Sequence, residues 1–359
     1  MRNLIRASDA TAAIMFLFLV GILPDETLAA TIHVENNGVD SPSCGAVTEP
    51  CRSISHAIAS ATDGDKIVVG PGRYGDLNGD GSFGGPGEEA TPAGCGCMIE
   101  VNKRLTLQSS DGPGVSILDA GGAEITGILV QADGVTFGGG SGHGFTIVNA
   151  RHEGLHVEGN GVTVAGNVAI GNGLSGHVAI AVVGIGNIIA DNAAINNANV
   201  GIQVNDSPGV NDSSGTVTGN VASANLEGFR INTQGRVQFT QNVASGNRSH
   251  GLSSGVGGQG VLEIRRSSFL GNRGIGIVFN FGGTGSVPVI DITDSNIFGN
   301  GSGLQNNTGV VVTASGNFWG AATGPGSDPA DAVCNDASST TIVEPVATKP
   351  FQINLNIRL

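Results

Sequence analysis

One short phrase recurs along the second half of the chain at nearly regular intervals. It has the form Gly-Asn-Val-Ala-x-x-Asn, with looser copies, and its last Asn falls at positions 172, 197, 225, 247, 272 and 300. Successive copies are 22 to 28 residues apart. A period of this size is typical of a solenoid, in which each repeat forms one coil stacked on the next.

A second phrase, Gly-x-x-apolar, follows in step with the first. It occurs as Gly154-Leu155-His156-Val157, Gly201-Ile202-Gln203-Val204 and Gly228-Phe229-Arg230-Ile231. Short β-branched segments between Gly and Asn, without the spacing of a helix, predict a β-solenoid with three strands per coil. Because strand residues alternate between two faces, one set should lie inside the coil. The residues predicted to be buried are Leu155, Val157, Ile202, Val204, Phe229 and Ile231.

Gly and Asn concentrate where the chain must bend. Both residues tolerate the left-handed backbone that such bends often need. Asn side chains at equivalent bends can also bond to one another, as amide ladders do in stacked sheets. The repeated Asn therefore predicts hydrogen bonds between successive coils.

Other segments resemble a known group of proteins. These are Pro50-Cys51-Arg52-Ser53-Ile54, Asp63-Gly64-Asp65, Pro71-Gly72-Arg73-Tyr74 and Gly316-Asn317-Phe318-Trp319-Gly320. From about position 31 to its end, the chain resembles secreted right-handed parallel β-helix proteins of the pectin-lyase-like superfamily. The resemblance implies an all-β, single-stranded right-handed parallel β-helix with a short N-terminal capping helix. It does not identify the chemistry, because one fold hosts many functions.

The first 30 residues have the pattern of a secretory signal. Arg2 and Arg6 precede an apolar run from Ala12 to Leu23, and small residues follow at Ala29 and Ala30. We therefore expect cleavage near residue 30 and a secreted protein, extracellular or periplasmic, without a membrane span. An uncleaved anchor is the alternative, although the run is short for a span of ~20 residues.

The remaining chain divides into three parts. Residues 31–66 should form an N-terminal strand and a capping helix over 53–61, with Ile54, Ala57, Ile58 and Ala61 on one face. Residues 67–320 should form the β-helix, with an insertion loop at 75–94. Residues 321–359 should cap the last coil, because an exposed solenoid end is an edge open to aggregation.

Composition limits the partners. The 359 residues include 60 Gly, about 17 % against a usual ~7 %, while charged residues are 13 %. The formal net charge of −14 opposes nucleic-acid binding, which depends on Lys and Arg at phosphates.

The five cysteines suggest an oxidising compartment. Cys44 and Cys51, seven positions apart, are predicted to form a disulfide. A bond between Cys95 and Cys97 would be strained. One of them could pair with Cys334 and leave the other free, and the pairing of these three cysteines stays open. Zinc binding is the alternative, although the spacings match no standard zinc motif.

The insertion contains the start of a calcium loop. Asp76, Asn78, Asp80 and Ser82 place oxygen ligands at positions 1, 3, 5 and 7, with Gly81 at position 6. Position 12 is Gly87 rather than Glu, and Glu88 and Glu89 follow it. A calcium site and a plain turn-rich insertion both stay open.

The outward residues of the Gly-x-x-apolar strands form the candidate binding face. They are His156, Glu158, Gln203, Asn205, Arg230 and Asn232. The segment from Gly228 to Thr233 is similar to a strand of polygalacturonases, with Asn232 in place of Lys. The paired carboxylates needed for glycoside hydrolysis are missing from the segments similar to that family.

Two classes of function follow. The first is a carbohydrate-binding or surface/structural protein with a polar strand face, whose partner would be a polysaccharide or a cell-surface glycan. The alternative is a polysaccharide lyase, hydrolase or epimerase. Arg230 should contribute most toward a carboxylated sugar, because a guanidinium can bind a carboxylate bidentately.

Overall fold

The computed structural model describes residues 29–140, 142–206, 212–255, 260–280 and 288–357. Within these ranges the chain forms parallel strands in three sheets and a single short helix. The predicted all-β parallel solenoid is confirmed. All but the last two residues of the predicted signal sequence, 1–30, lie outside the described residues.

From residue 66 to residue 313 the chain visits the three sheets in turn, so each coil of this part contributes one strand to each sheet, whereas the first strand and the last two lie outside this order. Sheet I contains β1 (Thr31–Val34), β2 (Lys66–Val69), β5 (Thr106–Ser109), β8 (Thr136–Gly138), β11 (Thr163–Ala165), β14 (Asn187–Ala190), β17 (Gly215–Thr218), β20 (Arg236–Thr240), β23 (Val261–Arg265), β26 (Val289–Thr293), β29 (Val311–Thr313) and β31 (Thr340–Ile342). Sheet II contains β3 (Gly72–Gly75), β6 (Ser116–Asp119), β9 (Thr146–Val148), β12 (Val168–Ile170), β15 (Ala193–Ile195), β18 (Val221–Ser223), β21 (Val243–Ser245), β24 (Ser268–Leu270) and β27 (Asn296–Phe298). Sheet III contains β4 (Cys97–Val101), β7 (Thr126–Val130), β10 (Leu155–Val157), β13 (Ile180–Val182), β16 (Val200–Asn205), β19 (Glu227–Asn232), β22 (Leu252–Ser254), β25 (Ile275–Asn280), β28 (Ser302–Asn307) and β30 (Val333–Asn335).

The interior is one continuous apolar core. The six residues predicted to be buried are each at most 2 % exposed, which confirms the alternation: Leu155, Val157, Ile202, Val204, Phe229 and Ile231. Aromatic rings pack inside it: Phe229 meets Phe239 edge to face at 4.9 Å between centroids, and Phe239 stacks on Phe269 of the next coil at 6.1 Å.

Two columns of buried side chains, Asn with two Ser, join the coils at the two bends of the repeat. The first column consists of Asn167, Asn192, Asn220, Asn242, Ser267, Ser295 and Asn317. The second consists of Asn172, Asn197, Asn225, Asn247, Asn272 and Asn300, and it ends on the carboxylate of Asp331. In each column a backbone N–H donates to the side chain one coil further on. The predicted Asn ladder is therefore confirmed, and a second ladder accompanies it.

The N-terminal cap agrees with the sequence pattern. Helix α1 (Ile54–Ser60) begins after Ser53, whose side chain accepts a hydrogen bond from the His56 N–H. Ile54, Ala57 and Ile58 face the core. At the other end of the helix Lys103 Nζ donates to the carbonyls of residues 58, 59 and 61, which satisfies acceptors that the helix leaves unpaired.

The C-terminal tail does more than cover the last coil. Its strands β30 and β31 extend sheets III and I by one strand each, in parallel register. Beneath them Trp319 is fully buried, and its carbonyl accepts the N–H of Asp331.

The disulfides confirm one expectation and correct another. Cys44 and Cys51 are bonded as predicted. Cys95 bonds directly to Cys97, although the sequence argument disfavoured that pair, and among the described residues Cys334 is free and exposed. The correction has a backbone cause: Gly96 takes φ +61°, a left-handed turn that brings the two Cα atoms to 5.2 Å.

Among the described residues, no helix has the length and apolar character needed to cross a membrane.

Candidate functional site

The predicted binding residues lie on the outer face of sheet III. Gln203 and Arg230 are paired neighbours on β16 and β19, and Asn205 pairs with Asn232 in the same register. His156 belongs to the same outward column two strands earlier, with Ala181 between it and Gln203. Glu158 is exposed just beyond β10. The structure thus brings the six residues onto one face, in two adjoining groups.

The two groups are separated by a small apolar patch. Val178, Ala181 and Val200 form a cluster of their own outside the main core, each at most 7 % exposed. The predicted polar track is therefore interrupted at Ala181, where this buried cluster offers little surface to a ligand.

Arg230 is not available as an isolated positive charge. Its guanidinium contacts the Glu227 carboxylate, with Nη2–Oε2 at 3.0 Å and Nε–Oε2 at 3.2 Å. The same Glu227 oxygen accepts a hydrogen bond from Ser253 Oγ at 2.6 Å. A carboxylated ligand would have to compete with Glu227 for the guanidinium.

A group of ionisable side chains that the sequence argument missed lies beside His156. We call it the histidine–glutamate cluster, and it consists of Glu124, Arg151, His152, Glu153 and His177. These residues come from the three loops that precede β7, β10 and β13. Because the three strands are neighbours in sheet III, the loops meet at one edge of its outer face.

The cluster is held by contacts between coils. The imidazoles of His152 and His177 stack with centroids 4.3 Å apart and planes 21° apart. His177 Nδ1 lies 2.7 Å from Glu153 Oε1, and Thr126 donates to the other oxygen of Glu153 at 3.0 Å.

Glu124 supports the other side of the stack. It forms an ion pair with Arg151 (Oε1–Nε 2.5 Å), and His152 Nε2 lies 3.7 Å from its other oxygen. Ser175 Oγ donates to that second oxygen at 2.8 Å. Each imidazole of the stack therefore has a carboxylate beside it.

The pKa of Glu153 reflects its partners. Burial alone would raise this pKa, but hydrogen bonds from His177 and from a backbone N–H lower it, as does the positive charge available on His177 and His156. Together they hold the pKa of Glu153 below its ordinary value of 4.5. Glu153 is thus a carboxylate at neutral pH, suited to orient and polarise the His177 imidazole.

A sequence signal for this cluster does exist. The segment 151–158 reads Arg-His-Glu-Gly-Leu-His-Val-Glu, in which five of eight residues are Arg, His or Glu, whereas Lys, Arg, Asp, Glu and His together make up only 53 of the 359 residues of the chain. This high density of ionisable residues could have drawn attention to residues 151–153. It could not have identified Glu124 or His177 as their partners, because these two residues belong to other coils.

The calcium-loop residues lie close together in the insertion. The buried Asp76 accepts the backbone N–H groups of Gly79 and Gly81 at 2.6 and 2.7 Å. Asn78 and Asp80 each accept an N–H two residues further on, at 2.8 Å. Glu88 lies against the loop, with Oε1 3.3 Å from the N–H of Asn78. These contacts shape the loop, and calcium binding stays a prediction.

Acid stability should report on the Glu153–His177 pair. A carboxyl group with a lowered folded-state pKa stabilises the fold above its unfolded pKa, here about 4.5, and loses that contribution as the pH falls through the folded value. We therefore expect wild-type stability to fall more steeply than that of Glu153→Gln below a pH of about 4.5. Urea unfolding at a series of pH values measures this, and parallel curves would contradict it.

Comparison with known proteins supports the fold. Residues 100–262 match the family model described as the right handed beta helix region. Pectate lyase Pel9A has a similar structure, with 17 % identity, coverage of 89 % of this chain and 78 % of that chain, and a TM-score of 0.52. No curated protein matches the chain in sequence.

Two further solved structures are similar at lower scores. The A-module of mannuronan C-5 epimerase AlgE6 from Azotobacter vinelandii is 13 % identical, covering 83 % of this chain and 94 % of that chain, with a TM-score of 0.47. A rhamnogalacturonan lyase is 13 % identical, covering 90 % of each chain, with a TM-score of 0.42. At these identities the likeness concerns the fold and not the activity. The chain therefore has a parallel β-helix fold similar to that of pectate lyase Pel9A, and its residues 100–262 match the right-handed β-helix family.

Proposed function

We propose that this protein is secreted and binds an extended polysaccharide along the outer face of sheet III. The observation that carries the proposal is the in-register row of outward side chains on that face, which includes His156, Gln203 and Arg230. From His156 on β10 to Arg230 on β19 the row crosses four neighbouring strands, about 14 Å at ~4.8 Å per strand. A straight row of this length suits several units of an extended chain better than a compact ligand.

The charges of the face favour a neutral glycan. Arg151 is paired with Glu124, and Arg230 is paired with Glu227. Glu153 and Glu158 add further negative charge near His156. A polyuronate would meet net repulsion here, whereas hydroxyl groups can bond to the carboxylates and amides.

The secreted location rests on two observations. The described residues contain two disulfides, which persist in oxidising compartments. Residues 1–30 have the composition of a secretory signal.

A matched pair of variants tests the binding face. Gln203→Ala removes an outward amide from sheet III, and Gln238→Ala removes the same group from the outer face of sheet I. We expect Gln203→Ala to weaken binding of a neutral glucan by about 2- to 10-fold, the loss of one or two hydrogen bonds. Gln238→Ala should bind like wild type.

Affinity electrophoresis with a panel of neutral glucans and polygalacturonate gives the measurement. Equal effects of the two variants would contradict binding on sheet III. A preference for polygalacturonate would overturn the assignment of a neutral ligand. If that preference depended on Arg230, it would show that the ligand displaces Glu227 from the guanidinium.

A second candidate function is catalysis on the bound polysaccharide. The stacked His177, oriented by Glu153 at 2.7 Å, has the arrangement of a general base paired with a carboxylate. New unsaturated or reducing ends after incubation with the same panel would reveal it. Such activity should be lost in His177→Ala and kept in Gln238→Ala. Binding without new ends would leave the protein as a binding module.

We propose calcium as a ligand of the insertion loop, resting on its oxygen-rich pattern. Calcium at 100 times its dissociation constant should then stabilise the protein by ~2.7 kcal/mol. Thermal unfolding with calcium and with a chelator measures the shift. Asp80→Ala should abolish it, whereas Asp111→Ala, at an exposed Asp outside the loop, should keep it. Identical melting temperatures of the wild type in both buffers would contradict a calcium site.

A further inference from the structure

A cavity of about 640 Å³ lies between the N-terminal cap, the insertion loop and the first strand of sheet III. Helix α1 lines it with Ala59, the insertion lines it with Ala90 and Pro92, and the end of β4 lines it with Glu100 and Asn102. Its volume falls within the ~300–1,000 Å³ that is usual for small-molecule sites. The cavity is therefore large enough to hold a sugar unit.

The cavity lies at one end of the proposed glycan row. Glu100 on β4 pairs with Leu129 on β7, and Leu129 pairs with His156 on β10 in the same outward column. Leu129 is only 8 % exposed, so a ligand would pass over it with little contact. From Glu100 to Arg230 the column crosses six neighbouring strands, about 24 Å at ~4.8 Å per strand. A polysaccharide that follows the row past His156 therefore arrives at the cavity.

We propose that this cavity receives the end of the polysaccharide chain. This mode of binding rests on the proposed function, and it means that the protein holds a chain at its terminus rather than along its middle. Strand β4 is the last strand at this end of sheet III, and α1 packs against it. A chain that continued beyond the cavity along the solenoid would meet the helix.

The wall of the cavity is fixed by buried hydrogen bonds. Glu89 of the insertion is 1 % exposed, and its carboxyl group accepts the backbone N–H groups of Ile54 and Ser55 at 2.9 and 2.7 Å. Ser55 Oγ donates to the same carboxyl group at 2.6 Å and accepts the N–H of Ala90 at 3.0 Å. These bonds join the insertion to the first turn of α1. The cavity is thus preformed, which lowers the entropic cost of binding a ligand there.

The side chains of the lining suit a sugar. Ala59, Ala90 and Pro92 offer carbon surface to the carbon–hydrogen face of a pyranose ring. Glu100 and Asn102 offer a carboxylate and an amide to its hydroxyl groups. Apolar lining with a few polar groups that fix orientation is the usual composition of a small-molecule site.

The charges of the lining oppose a carboxylated terminus. Asp40, Glu88 and Glu100 each bring a carboxylate to the cavity. Lys103 also lines it, but its ammonium group donates to the carbonyls of residues 58, 59 and 61. A terminal uronate would meet net repulsion here. A neutral terminal unit therefore fits best, in agreement with the neutral glycan proposed for sheet III.

Chain length gives the first test, with the wild-type protein. Soluble cellulose fragments, laminarin and pullulan are each prepared as a long and a short fraction, and affinity electrophoresis compares the fractions at equal mass concentration. The short fraction carries more chain ends per unit mass. For a glucan that binds, we expect the apparent affinity per unit mass to rise in proportion to the number of ends. Affinities that do not depend on chain length would overturn chain-end binding.

A matched pair of variants on α1 gives the second test. Ala59 is exposed and lines the cavity, whereas Ser60 is exposed on the same helix outside the lining. Ala59→Trp fills the cavity and should weaken binding of the short fraction by about 10-fold or more, because the contacts of a whole terminal unit are lost together. Ser60→Trp should bind like the wild type. Equal affinities of the two variants would contradict a ligand in the cavity.

Chain-end binding and the proposed function can fail separately. If Gln203→Ala weakens binding while chain length and Ala59→Trp have no effect, the polysaccharide binds sheet III along its middle and chain-end binding is wrong. If none of the three glucans binds, the proposed function is wrong, and chain-end binding is wrong with it.

Discussion

Replacing Ile231 with Asp is expected to lower the free energy of unfolding by about 5 kcal/mol. Ile231 is fully buried on β19, between Val204 of the preceding coil and Ser254 of the next. The substitution removes apolar contacts and places a carboxyl group where no water can reach it. Urea unfolding followed by circular dichroism measures the change.

The neighbouring Asn232→Asp provides the control. Asn232 lies on the same strand, faces outward and accepts the N–H of Gly255 through Oδ1, a bond that Asp preserves. Its substitution should change stability by no more than about 0.5 kcal/mol. Similar costs for the two variants would mean that the inward and outward faces of β19 have been interchanged.

Asn225→Ala is expected to cost about 3 kcal/mol, because it breaks a ladder in the middle. The Asn225 side chain accepts the N–H of Asn197 at 2.9 Å and donates to the Ala194 carbonyl at 2.9 Å. Without it the N–H of Asn197 is left buried and unpaired. Thermal and urea unfolding should both show the loss.

The chain itself supplies the matched variant. In the other ladder Ser267 takes the place of an Asn, and its Oγ accepts the N–H of Asn242 at 3.2 Å. Asn225→Ser should keep an acceptor and cost less than Asn225→Ala. If the two variants are equally unstable, packing volume rather than hydrogen bonding explains the repeated Asn of the ladder.

Much of the fold could be predicted because its signals are local. Alternation along a strand has a period of two, so Leu155 and Val157 were assigned to the core without knowledge of their neighbours. The repeated Asn predicted bonding between coils, because equal spacing stacks equal residues. Ser53 and the apolar face of residues 54–58 predicted α1 in the same way.

The ends of the solenoid carry no such period. Strands β30 and β31 lie in a Pro- and Asp-rich tail, and they are strands because an unpaired edge of sheets III and I is available to them. The Cys95–Cys97 bond likewise depends on the left-handed turn at Gly96. Neither feature follows from residue type alone.

The sequence by itself determined the coil, its core and the row of outward side chains that includes His156, Gln203 and Arg230. Only the tertiary structure decided what surrounds that row. It paired Arg230 with Glu227. It also brought Glu124 beside His152 and His177 beside Glu153, each pair from different coils. The physical reason is that the direction of a side chain follows from the local backbone. Contacts between loops depend instead on how many residues each coil has at its bends.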